Sequence, residues 1–448
     1  IILVAISTAC IAPSVSASTS DMITISGTWS LALDPDDVGR SVLDGRDIQR
    51  GDVWLPGSLQ QQGYGQQPTA DSPWIGNTRE REWSRPEYDP YRDDENFKMP
   101  FWLQPERVYV GAAWYERTIE IPEKWTGRRV SVYLERVHWV SEAYLDGDVL
   151  GVRESLSTPH IYDLGVVGSG DGNVVPGAHT LILKIDNRMA YGGGPNAHSM
   201  TDHTQSNWNG VVGAMELRSD PVVSIAKVHV TPDAAERSAS VLVTISNTDE
   251  RAHTVDLSLR AKCDSAPETT ASQSVSVAGR SERMVRIEME LGADAALWNE
   301  FEPNGYRLHT TLTSDTGTDH ASADFGLREI GTAGGRLTVN GTPVFLRGTL
   351  DCAIYPLTGY APMDTPAWER VFSRVKEFGL NHVRYHSWCP PRAAFEAADK
   401  IGVYLQVEGP FWVNQGPELG RGQPIDGYVY EETDRILAEF GNHPSFVM

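Results

Sequence analysis

Residues 365–408 read TPAWERVFSRVKEFGLNHVRYHSWCPPRAAFEAADKIGVYLQVE. Two helices alternate with two strands in this stretch. Pro366–Phe378 spaces Trp368, Val371, Phe372 and Val375 along one helical face, Thr365 stands where a cap is wanted, Pro366 suits a first turn and Gly379 ends the run. His382–His386 then reads as a strand, Arg392–Ile401 as a helix stopped by Gly402, and Val403–Glu408 as a strand. The alternation extends both ways. Pro343–Gly348 reads as a preceding strand, Gly427–Phe440 as a third helix carrying Val429, Ile436, Leu437 and Phe440, and Ser445–Met448 as the start of a fourth strand. Strands alternating with helices predict a parallel sheet.

Within these strands, Val344 and Leu346, Val383 and Tyr385, and Leu405 and Val407 form faces suited to packing under helices. The opposite faces carry Phe345 and Arg347, Arg384 and His386, and Gln406 and Glu408. A closed barrel of parallel strands fills its interior with branched apolar side chains and places its site at the C-terminal strand ends, so charged residues there suit a site rim. A buried structural Arg–Glu pair is the alternative, and it suits Arg347 as readily as a site role does. His386 and Glu408 are read as functional.

Upstream the pattern is different. Residues 22–220 carry short alternating runs such as Trp114–Ile121, Arg129–Leu134 and Leu181–Ile185, bounded by Gly, Pro, Asn and Asp, which read as strands. A long stretch between Gln66 and Gly111 is crowded with Trp, Tyr, Arg and Pro, and its aromatics argue against disorder. Nine of the thirteen Trp precede residue 221. Sandwich core accounts for most of them, with a minority at a loop rim free to stack on sugar rings. From Val222 to Ile330, Val228–Thr231, Ser240–Ile245, Thr254–Leu259, Ser274–Val277 and Arg283–Met289 succeed one another at the spacing of an immunoglobulin-type sandwich.

The 448 residues suggest two to four domains, and the net charge of −22 argues against nucleic acid, which needs clustered Lys and Arg. No stretch reaches the length of a membrane span. Ile1–Ile6 reads as the apolar part of an export signal and Val15-Ser16-Ala17 as its cleavage box, so residues 1–17 are expected to be removed and the protein secreted or periplasmic. Lipoprotein anchoring through Cys10 fits less well, because Ser7 sits where a larger apolar residue is usual. Cys263, Cys352 and Cys389 make neither a disulfide scaffold nor a zinc spacing. Cys352 and Cys389 each follow a strand arginine by five residues; they are expected either to bridge two loops or to stand as separate thiols.

Several short motifs occur in a specific order: Gly27-Thr28-Trp29, Leu55-Pro56-Gly57, Ala113-Trp114-Tyr115, Pro159-His160, Asn207-Trp208-Asn209-Gly210, Phe325-Gly326-Leu327-Arg328-Glu329-Ile330, Phe345-Leu346-Arg347-Gly348, Asn381-His382-Val383-Arg384 and Gly441-Asn442-His443-Pro444-Ser445. Together they resemble glycoside hydrolase family 2, the β-galactosidase, β-glucuronidase and β-mannosidase group, across nearly the whole mature chain. The resemblance implies a multidomain fold: an all-β jelly-roll sandwich at 22–220 that binds sugar, an immunoglobulin-like β-sandwich at 221–330, and at 331–448 the first three to four βα units of an incomplete TIM (β/α)8 barrel.

It also implies a retaining exo-β-glycosidase cleaving terminal β-linked sugars of the β-galactoside or β-glucuronide type, with a carbohydrate substrate and no required cofactor. In the family, a run like Asn442–Met448 leads within a few residues into a Trp and an Asn-Glu pair whose Glu is the acid/base, and the nucleophile lies on a later strand. No catalytic residue is therefore assigned in this chain, and as it stands it is expected to be inactive. The residues expected to bind substrate are Asp202, Asn207 and Trp208 from the first segment, where a structural role is equally open, and Asp351, Arg384, His386, Trp388 and Glu408 from the barrel. Glu408 matches a position that holds a divalent cation in some members; direct contact with sugar or water is preferred here, and no metal ligand is assigned. The family places its His three residues after the arginine and follows it with Tyr-Pro, whereas His386 comes two after Arg384 and precedes Ser387-Trp388-Cys389-Pro390. The rival expectation is a secreted, non-catalytic carbohydrate-binding protein with a vestigial barrel.

Overall fold

The computed structural model describes residues 22–43, 50–74, 85–98, 106–168, 174–193, 199–202, 207–355, 358–410 and 418–448. The expected export signal and Cys10 lie outside the described residues.

The first part pairs two antiparallel sheets. One orders Met22–Thr24, Gly210–Asp220, Arg129–His138 and His160–Val166, with Gly57–Ser58 also on the Gly210 strand; the other orders Arg50–Leu55, Gly27–Asp34, Ala112–Ile121, Gly177–Asp186, Val140–Leu145 and Asp148–Arg153. Alternation puts every second residue between the sheets. Trp29, Tyr115, Trp125, Tyr162 and Leu183 fill that core, so Trp29 and Trp125 are structural, whereas Trp54 is 59% exposed. Two of the quoted motifs meet here. Gly57 and Ser58 pair with Val211 and Gly210, and a Cβ on Gly210, whose φ is +146°, would stand 2.3 Å from the Gly57 carbonyl oxygen.

A second sandwich follows. Its sheets order Val223–Asp233, Ser238–Asn247 and Ser281–Glu290 against Ala266–Val277, His253–Cys263, Tyr306–Ser314 and Gly317–Phe325. The strands run longer than the periodic cores of the sequence suggest, and the last two were not singled out there. Val241, Val243, Leu257, Leu259 and Phe325 pack between the sheets.

The third part holds three parallel strands, Gly348–Asp351, His382–Tyr385 and Tyr404–Val407, connected by helices α1 (Thr365–Glu377) and α2 (Arg392–Ile401), with α3 (Pro424–Phe440) after them. Residues 445–448 run parallel to the third strand through Leu405 N–H to Ser445 O (2.7 Å), Val447 N–H to Leu405 O (3.0 Å) and Val407 N–H to Met448 O (2.8 Å). The first strand differs from expectation. Thr342–Pro343 closes a small antiparallel hairpin with Arg336–Val339, and parallel pairing starts at Gly348. Val344 and Leu346 accordingly pack beside Trp298 and Tyr404, at the second sandwich, and not under the helices. The cap of α1 also shifts: Asp364 accepts the Ala367 N–H (2.9 Å), while the Thr365 hydroxyl reaches Glu396 on α2 (2.8 Å).

Both sandwiches grip this third part. Trp139, Leu156 and Met200 of the first share an apolar cluster with Ile425 and Tyr428 of α3. From the second, Trp298 Nε1 donates to Asp399 O (2.8 Å), Glu300 accepts from Asn381 Nδ2 (2.9 Å), and the Val230 N–H reaches Asn442 Oδ1 (3.0 Å). The motif Gly441–Ser445 thus serves as a joint. His443 Nδ1 lies 2.6 Å from Asp399 Oδ2, and Ser445 N–H donates to Asp399 Oδ1 (2.9 Å), which fixes the turn into the fourth strand segment.

Candidate functional site

Parallel register decides which side chains share a face. Leu350, Arg384 and Gln406 stand level across the three strands, and Thr349, Val383 and Leu405 stand level one residue earlier. Val383 and Leu405 are buried under the helices, whereas Arg384 and Leu350 lie on the open face, Leu350 being 51% exposed. Glu408, two residues beyond Gln406, returns to the open face beside Arg384. Its Oε1 accepts from Arg384 Nε (2.5 Å) and its Oε2 from the Ser387 N–H (2.8 Å). Charge-assisted bonds on both carboxylate oxygens set the orientation of Glu408.

His386 leaves the strand end with its N–H on Asp351 O (2.8 Å). Burial lowers the pKa of its ring; Glu408 opposes that shift and Arg384 reinforces it. At pH 7 the ring is therefore neutral and able to donate from one nitrogen and accept at the other.

Asp351 is separated from this group. It stands level with Tyr385 and Val407, on the helix side, and its carboxylate accepts the Ala353 N–H (2.8 Å) and the Tyr355 hydroxyl (3.2 Å). Burial raises its pKa, which those two donors offset in part. Trp388 is 5% exposed, meets Tyr385 edge-on at 5.1 Å and donates Nε1 to Asp351 O (3.0 Å). Asp351 and Trp388 thus shape the loops, and Arg384, His386 and Glu408 present the polar surface.

The first-sandwich candidates behave differently again. Asp202 is buried. Asn207 Oδ1 lies 2.8 Å from His138 Nε2, and the Asn207 carbonyl accepts from Gln60 Nε2 (3.0 Å), so Asn207 braces its own sandwich. Trp208 stacks on His138 at 5.1 Å and faces a cleft between the sandwich and the parallel sheet, whose far wall includes Tyr360, Trp388 and Cys389. Cys352 and Cys389 are free thiols, and burial pushes the Cys389 pKa up to about 12, which keeps it protonated. Among the described residues no group of three or more His, Cys, Asp or Glu is arranged to hold a metal ion.

Two residues at the site were not anticipated. Arg136, on the Arg129–His138 strand, donates to the carbonyls of Cys389 (2.7 Å), Pro390 (3.1 Å) and Ser157 (2.7 Å). Ser199 Oγ lies 2.9 Å from Ser387 O and 2.5 Å from Pro410 O. For Arg136 the one available signal was the charged pair Glu135-Arg136 between the apolar residues Val132–Leu134 and Val137.

Residues 223–328, the second sandwich, match the model for glycosyl hydrolases family 2. β-Galactosidases of Aeromonas hydrophila and Thermoanaerobacter pseudethanolicus are each 22% identical to the chain, over 370 and 360 residues. The chain is thus similar to members of glycoside hydrolase family 2. These alignments cover 79% of the chain but 34% and 46% of the two relatives, so it spans between a third and a half of their length. The same fold is found in Bacteroides uniformis β-glucuronidase 2, solved covalently bound to cyclophellitol-6-carboxylate aziridine (TM-score 0.71, 17% identity, 95% of this chain and 46% of that one). It is found also in a family 2 β-galacturonidase from Eisenbergiella tayi bound to galacturonate (TM-score 0.70, 15% identity, 98% and 66%). In this chain the named motifs mark joints as often as surface: Asn207–Gly210 and Leu55–Gly57 hold the first sandwich, and Gly441–Ser445 holds the third part to the second.

Proposed function

We propose that the chain forms the substrate-binding part of an exported retaining exo-β-glycosidase acting on terminal β-linked sugars of the galactoside or glucuronide type. Its parallel strands are the opening units of a (β/α)8 barrel, preceded by a sugar-binding jelly-roll and an immunoglobulin-like spacer. One observation carries this reading: Arg384, Glu408 and His386 gather at the C-terminal ends of adjacent parallel strands, on the open face, where barrels place their sites. A guanidinium, a carboxylate and a neutral imidazole supply the donors and acceptors that sugar hydroxyls require.

The chemistry is double displacement. One carboxylate attacks the anomeric carbon while a second, protonated one releases the leaving oxygen; the two stand about 5–5.5 Å apart in retaining enzymes. Both are assigned to sequence following the Asn442–Met448 run, and Arg384, His386 and Glu408 bind and orient the sugar ring against them.

The test is an activity screen on aryl β-glycosides. The 448-residue chain is expected to give no turnover, and a chain extended through the Asn-Glu motif is expected to give turnover with retention of configuration. Turnover by the 448-residue chain that disappears in Glu408→Gln would assign the chemistry to Glu408 instead. Sugar binding with no turnover in any extended form would favour a carbohydrate-binding protein.

A further inference from the structure

We propose that Arg136 and Ser199 are positioning residues, through which the first sandwich sets the geometry of the Arg384–Glu408–His386 face and its preference among sugars. The inference rests on the reading of that face as the substrate site.

The loop 386–391 joins the second parallel strand to α2, and in it the sequence departs from the family pattern. Its backbone is held from three sides. Trp388 Nε1 ties it to Asp351 O on the first strand, and the Ser387 N–H ties it to Glu408 beyond the third. From the sandwich, Arg136 donates to the carbonyls of Cys389 and Pro390, and Ser199 Oγ meets that of Ser387. The same Ser199 Oγ lies 2.5 Å from Pro410 O, two residues past Glu408, and its single proton serves one of these two carbonyls at a time. Both segments that carry the polar face are therefore referenced to the sandwich.

The arginine is suited to this work. Its planar fork spans Ser157 O on its own sandwich and two consecutive carbonyls of the loop, which a single ammonium cannot do. Ser387 has φ +58°, a conformation that a non-glycine residue holds when its surroundings impose it. Its N–H, its carbonyl and the next side chain are all engaged, so a small displacement of the clamp moves both His386 and Glu408. A sub-ångström shift of such supports is enough to change binding.

The experiment uses the 448-residue chain with Arg136→Met, Arg136→Lys and Ser199→Ala. The His386 ring resonance, identified by its loss in His386→Gln, is followed by NMR through a pH titration, and binding of galactose, glucuronate and galacturonate is measured by calorimetry. Releasing the loop relieves the burial of His386, so R136M is expected to raise its midpoint by about 0.5 pH unit. Sugar affinity is expected to fall about threefold or more, unequally among the three sugars. S199A should move both readings in the same direction, and R136K should restore part of each. If R136M and S199A lower the melting temperature yet leave the His386 resonance and midpoint unchanged, the two residues are structural props and the proposal is wrong. If the unmodified chain binds none of the three sugars, the substrate reading fails, while the His386 titration still decides whether the clamp positions the face.

Discussion

Arg384 lies on the second parallel strand and Glu408 just past the end of the third, two register positions further on, with Nε and Oε1 2.5 Å from one another and the arginine side chain 44% exposed. Exposure on that scale leaves the pair screened by solvent, and such pairs contribute less than about 1 kcal/mol. The two oxygens of Glu408 nevertheless do different work. Glu408→Gln keeps an acceptor for the Ser387 N–H and is expected to change unfolding free energy by less than about 1 kcal/mol. Glu408→Leu leaves that N–H without a partner and should cost about 1–3 kcal/mol. Urea denaturation of the two variants, compared at equal m-value, checks the ordering.

Gly210 cannot be replaced quietly. Its φ of +146° disfavours any side chain, and an alanine methyl would stand 2.3 Å from a backbone oxygen of Gly57 that has no rotamer with which to retreat. Gly210→Ala should destabilise the first sandwich by about 2 kcal/mol or more. Gly63, with φ +82° and nothing within 4 Å, is the control: Gly63→Ala should cost about 1 kcal/mol. Equal melting temperatures for the two variants would contradict the packing described for the Leu55–Gly57 and Asn207–Gly210 motifs.

His253 links stability to pH. It is buried, with Nδ1 2.5 Å from Asp315 Oδ1 and Nε2 2.8 Å from Asp249 Oδ2. Burial opposes its charge, but the hydrogen bonds to Asp315 and Asp249 outweigh it and its pKa is raised. Bonds from His253 and Arg251 hold Asp249 at about 2, and His253 also lowers Asp315. A raised histidine contributes stability that is full below its unfolded value near 6.5 and is lost as pH rises through the higher folded value. The depressed carboxylates contribute above about pH 4 and lose that contribution as pH falls through their folded values. The cluster should therefore stabilise the second sandwich most between about pH 4 and 6.5. Melting curves from pH 5 to 9 should slope downward in the parent and flatten in His253→Gln.

The open face of the parallel sheet carries apolar surface as well as charge. Leu350 on that face is 51% exposed, and Phe345, three residues before the strand begins, is 77% exposed. Exposed apolar groups of this size bind hydrophobic dyes and promote association. The 448-residue chain is expected to enhance 8-anilinonaphthalene-1-sulfonate fluorescence, and Phe345→Ser combined with Leu350→Ser should remove most of that enhancement without lowering the melting temperature. Unchanged fluorescence in the double variant would place the dye site elsewhere.

Much of the fold was legible because period and punctuation are local properties. Apolar residues at helical spacing, with Gly379 and Gly402 as stops, located α1 and α2 to within a residue or two, since a helix buries one face whatever lies against it. Alternation likewise put Val383 and Leu405 under the helices and Arg384 and Glu408 on the other side. Where the sequence misled, partners distant in the chain made the difference. Pro343–Gly348 alternates like a strand, but Thr342–Pro343 pairs in a hairpin and Val344 and Leu346 find their apolar contacts beside Trp298, so parallel pairing begins only at Gly348. Asp351 read as a site residue, yet the register of three separate strands turns it to the helix side. Arg136 and Ser199 reach loops more than 180 residues away. No local pattern encodes such a contact, because the carbonyls it satisfies belong to backbone that only the docking of sandwich on sheet brings within hydrogen-bonding distance. Sequence alone thus determined the elements and the chemical character of the open face; which polar groups share that face, and what holds them there, was decided by tertiary packing, since register and docking depend on contacts that no single segment contains.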